Sequence, residues 1–307
     1  MTELLEKAEQ IVSKNHNENY EYYGLLVLTC YALLYKFEPY EEIIKELFDT
    51  CEFHIENKPL FQIIYKENFS IETINSHLDL GSLVGLANSG EDLHYDAELD
   101  CYIKTPPSIY CSAECDATEL LDTTIHELAH LVKGRINNSF IDEDNNSYKR
   151  SGIQLMCEET ETYMNLALDE AINTLQTADM SKYIKDLINT PMNKKVKEFY
   201  NKLNQDNLGQ ISGNELVANL LLPLWNNEHF KSNIESNIVE GNLDLIENDF
   251  NSIIRNENAF NDFSEAFDIV DQQPDINDSL INRYQYIQAI SKLYDTSCEL
   301  LKRYNKV

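Results

Sequence analysis

The sequence predicts an α+β fold that is mostly helical, with one small β-sheet. The 307 residues include only nine glycines and seven prolines, which favours long helices over many short strands. Apolar residues recur at helical spacing through residues 1–50 and again from residue 178 to the end. Short segments rich in β-branched and aromatic residues lie between residues 51 and 111. We therefore expect an N-terminal helical segment (1–50), an α+β core (51–177) and a helical C-terminal subdomain (178–307).

Charge and composition narrow the classes of function. The formal net charge of −29 repels phosphate backbones, so nucleic acid is not an expected partner. The N-terminus has neither the basic nor the apolar region of a signal peptide. The apolar run Tyr22–Tyr35 is shorter than the roughly 20 residues that cross a bilayer, which predicts a buried helix and no membrane partner. We expect a cytoplasmic protein whose seven scattered cysteines are reduced and mostly buried.

The first 111 residues divide into helices and then strands. Leu4, Leu5, Ala8 and Ile11 have helical spacing, and Pro39 stands where a third helix could begin. The segments CEFHIEN, PLFQIIY and LDCYIKT read as strands of a partly antiparallel sheet, with Asn-Ser-Gly at 88–90 as a turn. Two histidines, His54 and His94, alternate with apolar neighbours there and are interpreted as sheet residues rather than metal ligands.

The stretch Thr123–Gly134 (TTIHELAHLVKG) contains candidate metal-binding and catalytic residues. An Asp116-x-x-Glu119 capping arrangement precedes it, and an apolar stripe of Leu121, Ile125, Leu128 and Val132 predicts its core face. Gly134 is expected to end this helix.

Within this helix, His126 and His130 are four residues apart and therefore share one face. Two imidazoles in that spacing can bind one Zn²⁺ ion, and Glu127 beside them can take a proton from a bound water. A catalytic zinc has three protein ligands and an open fourth position, so a third ligand is expected downstream. Residues 135–154 read as loop and a short hairpin, and residues 156–177 as a helix. The core stripe of that helix leaves Glu170 on a different face.

HELAH, followed 40 residues later by the segment LDEAIN (168–173), resembles the gluzincins, the thermolysin-like clan of zinc metallopeptidases. The resemblance covers roughly residues 98–177 and implies a zincin-like core. It also implies that His126, His130 and Glu170 are the zinc ligands and that Glu127 is the general base. The aspartate that the family places four residues after its glutamate ligand is Thr174 here. Asn173 or Thr174 could orient a ligand histidine in its place.

Two alternatives stay open. The segment Glu161-x-x-x-Asn165-x-Ala167 is similar to one in ImmA/IrrE-like regulatory zinc peptidases, in which Glu161 would be the third ligand. We favour Glu170, because those peptidases have a glycine where this chain has Ala129. The other alternative is a non-catalytic interaction protein that binds zinc for structure, with four protein ligands.

The expected activity is hydrolysis of a peptide bond in a peptide or protein substrate. The oxyanion donor is expected among Tyr148, Arg150, Tyr163 and His229. In the related folds the substrate lies along an edge strand before the motif helix, which predicts such a strand around Asp100–Thr105, ahead of Pro106-Pro107.

Overall fold

A computed structural model describes most of the chain and confirms a mostly helical α+β fold. The described residues are 1–15, 22–56, 85–90, 93–96, 101–104, 106–136, 140–141, 146–157, 160, 162–212, 215–272 and 279–305. The chain forms two compact units, the first from Met1–Val132 and Thr177–Gln210, the second from Lys133–Gln176 and Ile211–Val307. The three-part division expected from the sequence stays a prediction.

The N-terminal helices of the first unit follow the sequence prediction. They are α1 (Thr2–Asn15), α2 (Tyr23–Lys36) and α3 (Glu41–Thr50). The uncharged run forms α2, which is buried from Tyr23 to Leu34, and Pro39 lies in a 3₁₀ turn just before α3. In the part of the chain that is described, no helix is both long and apolar enough to cross a membrane.

The strands of the first unit form two small sheets. In the first sheet the central strand β5 (Ser108–Ser112) pairs in parallel with β1 (Glu52–Glu56) and antiparallel with β2 (Gly85–Asn88). Strands β3 (Leu93–Asp96) and β4 (Cys101–Lys104) form a separate antiparallel ribbon. A partly antiparallel sheet was expected, and most of the predicted strands form. PLFQIIY (59–65) lies outside the described residues.

The structure bears on two local predictions in this region. The Asn88 side chain accepts a hydrogen bond from the Gly90 N–H at 2.9 Å, and Gly90 has φ +70°, so the expected turn is present. His54 lies in β1, where its ring stacks on Tyr110 with centroids 4.7 Å apart, and the backbone of His94 lies in β3.

Two long helices follow. Helix α4 (Ala117–Ile136) contains the HELAH sequence, and α5 (Leu166–Ile184) contains Glu170. The prediction that Gly134 ends α4 is wrong, because the helix continues to Ile136 and Gly134 does not have a positive φ. Helix α6 (Lys194–Tyr200) completes the first unit, and its close approach to α2 requires Gly24. A Cβ atom at Gly24 would lie 2.4 Å from Phe199 Cβ.

The second unit begins with a four-stranded antiparallel sheet in the order β6-β7-β8-β9. Its strands are β6 (Phe140–Ile141), β7 (Ser147–Ser151), β8 (Gln154–Cys157) and β9 (Thr162–Met164). The predicted hairpin is thus present. The prediction of a helix from residue 156 is wrong for residues 156–157 and 162–164, because β8 and β9 pair with each other. Asn165 then takes φ +61°, which breaks the strand before α5 begins.

Helices form the rest of the second unit, as the C-terminal spacing predicted. They are α7 (Glu215–Trp225), α8 (Glu228–Val239), α9 (Leu243–Ile254), α10 (Ala259–Asp271) and α11 (Leu280–Tyr304). Their apolar faces pack with Leu168, Ala171, Ile172 and Leu175 of α5 into one core. The helical spacing of Leu280, Tyr284 and Ile287 does not make a core face, because these side chains are 81%, 62% and 59% exposed.

Candidate metal centre

Helix α4 begins at the predicted cap. The Asp116 carboxylate accepts hydrogen bonds from the backbone N–H groups of Thr118 (2.7 Å) and Glu119 (3.0 Å). The Glu119 side chain accepts one from the Asp116 N–H at 2.9 Å. This reciprocal pair satisfies N–H groups that the first turn of a helix leaves without partners. The start of α4 is therefore fixed by its own sequence.

The core face of α4 sets the direction of its histidines. Leu121, Ile125, Leu128 and Val132 are fully buried, as their spacing predicted. His126, Glu127 and His130 lie off this stripe and are half-buried. Packing of the apolar stripe thus directs these three side chains away from the core.

The two histidine rings form a T-shaped contact. Their Nε2 atoms are 3.1 Å apart, and the ring planes are inclined at 72°. Two nitrogen ligands at about 2.0–2.1 Å from one tetrahedral zinc lie roughly 3.3 Å from each other. The observed separation is close to that value, so one ion could contact both nitrogen atoms.

Glu170 of α5 joins this pair. A ligand atom from each of His126, His130 and Glu170 lies within 4.8 Å of the other two. Two imidazoles and one carboxylate form a donor set typical of catalytic zinc, so the residues present fit the ion that the sequence predicted.

Glu127 faces the sheet of the first unit. A Cβ atom at Gly85 of β2 would lie 2.6 Å from Glu127 Oε1 and 2.4 Å from Thr123 Cγ2. Burial raises the pKa of Cys111 in β5 to about 12, and the negative charge of Glu127 acts in the same direction. The carboxylate predicted to be the general base thus lies beside the backbone of β2 at its glycine.

This contact bears on the predicted substrate strand. Cys101–Lys104 is a strand, as expected, but it pairs with β3 in the separate ribbon. The described strand that contacts Glu127 is β2, which is at the edge of the order β1-β5-β2 as far as the structure is described. The contact of Gly85 with Glu127 was not predicted from the sequence, although an isolated glycine in a strand pattern signals close approach of another group.

Glu161 and Thr174 were predicted as an alternative ligand and as a residue that could orient a ligand histidine. Glu161 lies outside the described residues, so its role as a ligand stays a prediction. Thr174 is 2% exposed, and its hydroxyl has no hydrogen-bond partner among the residues that the structure describes. It therefore does not orient a ligand histidine through a direct hydrogen bond in this conformation.

The four candidate oxyanion donors lie in different settings. Arg150 in β7 donates a hydrogen bond to the Gly241 carbonyl and lowers the pKa of Glu247, opposing the larger effect of burial. Tyr148 is half-buried in the same strand, whereas Tyr163 and His229 are exposed. Which of them contacts a substrate oxygen stays a prediction.

The charged neighbours of Glu170 were also not predicted from the sequence. Burial raises the pKa of Asp271 at the end of α10, and the negative charge of Glu170 raises it further. Asp169, the residue before Glu170, is fully buried and forms an ion pair with Lys133 of α4. The signal available in the sequence was a lysine three residues after His130, on the same side of the helix.

Comparison of the chain with protein-family models, with curated proteins and with solved structures gives no match in any of the three. Inference about function therefore depends on the residues and geometry of this site.

Proposed function

We propose that the protein is a zinc-dependent metallopeptidase with a gluzincin-like site, held by His126, His130 and Glu170. The observation that carries this proposal is the convergence of these three ligand atoms within 4.8 Å. The His-Glu-x-x-His spacing supports it, because that spacing also places a carboxylate beside the ion. The partly antiparallel sheet before α4 is consistent with a zincin-like core.

Each residue has a distinct role in the proposed reaction. His126, His130 and Glu170 would hold the zinc ion, which as a Lewis acid would lower the pKa of a water to about 7 and polarise the peptide carbonyl. Glu127 takes a proton from the attacking water as the new C–O bond forms. Glu127 then delivers that proton to the nitrogen as the C–N bond breaks, so the products are a carboxylic acid and an amine.

The position of β2 supports a peptide as the substrate. An extended peptide can add to the edge of a sheet through backbone hydrogen bonds, independently of its side chains. Because Gly85 brings β2 against Glu127, a peptide paired with this edge would pass close to the general base. Protein and peptide substrates are therefore favoured over small molecules, and the net charge of −29 disfavours nucleic acid.

The composition of the ligand group favours catalysis over a structural zinc site. A structural zinc site is normally closed by four protein ligands. Within the described ranges, the group has three members, which leaves a coordination position for water or substrate. A glutamate next to the first histidine also has no necessary role in a closed structural site.

The decisive experiment measures metal content and peptide hydrolysis on the same protein. We expect the wild type, purified without chelators, to contain about one zinc per chain and to cleave members of a peptide library. Glu127→Gln should retain the zinc and lose hydrolysis by about 10²- to 10⁴-fold, because only proton transfer is removed. The matched control is Glu114→Gln, which alters an exposed residue in the turn before α4.

Absence of metal from the wild type would contradict the proposal at its first step. Zinc together with an unchanged rate in Glu127→Gln would exclude Glu127 as the base. Zinc with no hydrolysis in the wild type, and a fourth protein ligand seen by X-ray absorption, would favour the non-catalytic alternative.

A further inference from the structure

A fully buried ion pair lies next to the proposed ligands in sequence. Lys133 Nζ donates to Asp169, at 3.2 Å from Oδ2 and 3.5 Å from Oδ1. Both side chains are 0% exposed. Lys133 follows His130 by three residues on α4, and Asp169 directly precedes Glu170 on α5. The pair therefore joins the two helices that carry the ligands.

The hairpin turn between β7 and β8 holds Asp169 from a second direction. The backbone N–H of Ile153 donates to Asp169 Oδ1 at 3.0 Å. Gly152 in the same turn has φ +62°, and a Cβ atom there would lie 2.2 Å from Asp169 Oδ1. Only glycine allows this turn to approach the carboxylate so closely.

The same turn also holds the backbone before Asp169. Asn165 donates from Nδ2 to the Ile153 carbonyl at 3.1 Å, and the Asp169 N–H donates to the Asn165 carbonyl at 2.9 Å. The first turn of α5 is thus attached to the hairpin through both its backbone and its buried carboxylate.

Stability alone is a weak reason for such a pair. Removing two charges from water carries a large free-energy penalty, and well-packed apolar residues often replace a buried ion pair without loss of stability. An ion pair differs from apolar packing because Lys133 Nζ has to stay within reach of the Asp169 carboxylate, and burial leaves neither group any water to replace its partner. The buried pair therefore fixes the rotation of α5 about its axis. Consecutive residues on a helix are about 100° apart around that axis, so the same rotation sets the direction of the next side chain.

We infer that the buried Lys133–Asp169 pair positions Glu170 for metal binding by fixing the rotation of α5 relative to α4. The inference rests on the proposed metal site and adds two positioning residues to it. The Cα atoms of Asp169 and Glu170 are about 3.8 Å apart, so a rotation that released Asp169 would also turn Glu170 away from the histidines.

The test compares zinc affinity in three full-length variants. Lys133→Met removes the cation and leaves a buried carboxylate. Lys133→Met/Asp169→Asn removes both charges and keeps an acceptor for the Ile153 N–H. Lys292→Met is the matched control, because it breaks a half-exposed Lys–Asp pair of 3.1 Å in the same unit. Zinc affinity is measured by competition with a chromophoric chelator, and the melting temperature is measured with chelator present.

We expect zinc affinity to fall about 10- to 100-fold in both Lys133 variants, as when partners that orient metal ligands are removed. The visible absorption of bound Co²⁺ should also change, because it reports the geometry of the ligands. The double variant should recover the melting temperature of the metal-free protein, since no unpaired charge is buried, without recovering affinity. Lys292→Met should match the wild type in all three measurements.

Zinc affinity and a Co²⁺ spectrum equal to wild type in the double variant would overturn the inference and leave the proposed function intact. Failure of the double variant to fold would also overturn it, because the pair would then hold the fold as a whole. Failure of the wild type to bind zinc or Co²⁺ would instead remove the proposed function, and the inference with it.

Discussion

Helices α4 and α5 each contribute to the same ligand group, but different interactions fix them. Helix α4 has a side-chain cap at Asp116 and one clear apolar stripe. Helix α5 is buried on almost every side between Asn165 and Thr177, and its buried residues include Asp169, Asn173 and Gln176. The apolar stripe of Leu168, Ala171, Ile172 and Leu175 therefore covers only part of the buried surface of α5.

Polar contacts with α4 add to the packing of that stripe. Near one end of α5, Ser181 donates a short hydrogen bond to Asp122 of α4. Near the other end, Asp169 pairs with Lys133 of α4. Local sequence thus orients α4, whereas side chains distant in sequence orient α5. Four predictions test this contrast.

The largest effect is expected from the ligands themselves. His130→Ala on α4 and Glu170→Ala on α5 should each reduce zinc affinity by roughly a thousandfold. This estimate divides a typical zinc-binding free energy of about 12 kcal/mol among three ligands. Isothermal titration with zinc checks it, with His54→Ala in β1 as the control. Unchanged affinity in Glu170→Ala would remove α5 from the site and favour Glu161 as the third ligand.

A smaller effect on turnover is expected at Gly85. In Gly85→Ala the new methyl group would lie 2.6 Å from Glu127 Oε1 and should displace that carboxylate. A displacement of about 1 Å can lower kcat by up to about 100-fold, with zinc content unchanged. Peptide hydrolysis and metal analysis check this. The control is Gly134→Ala, where a Cβ atom would meet Ser151 Oγ at an ordinary 3.7 Å. Equal loss of activity in both variants would contradict the assignment of Gly85.

The cap of α4 should affect stability alone. Asp116→Ala should lower the free energy of unfolding by about 1 kcal/mol, because two N–H groups of the first turn lose their acceptor. Asp116→Asn keeps an oxygen acceptor and should cost less. Urea denaturation of the zinc-free protein measures both. If Asp116→Ala lowered the free energy of unfolding by no more than Asp116→Asn does, the cap would not stabilise α4.

The smallest effect is expected at two matched threonines. Thr124 on α4 donates to the Leu120 carbonyl at 2.7 Å, so Thr124→Val should lower the free energy of unfolding by about 1 kcal/mol. Thr174 on α5 is equally buried, but its hydroxyl has no hydrogen-bond partner among the described residues. Thr174→Val should therefore leave stability unchanged or raise it slightly. If Thr174→Val lowered the free energy of unfolding more than Thr124→Val does, the expected difference between the two threonines would be contradicted.

Much of the fold could be predicted because periodicity and capping are local signals. They gave α1 to α4, the turn at Asn88–Gly90 and the C-terminal helices. They failed at residues 156–157 and 162–164, because strand pairing between β8 and β9 outweighs a helical pattern. The spacing of Leu280, Tyr284 and Ile287 predicted a helix, which forms as α11, but these side chains are exposed. Spacing shows which residues share a face and does not show which face is covered.

The sequence by itself determined the HELAH helix, its cap, its core face and the placement of His126, Glu127 and His130 on it. These features depend on residues within one turn or two of each other, so helical geometry is sufficient. Only the tertiary structure decided that Glu170 meets the histidines, that Gly85 lies against Glu127 and that Lys133 pairs with Asp169. Such contacts join residues about 36 to 44 positions apart, and their free energy depends on packing and burial that no local pattern encodes.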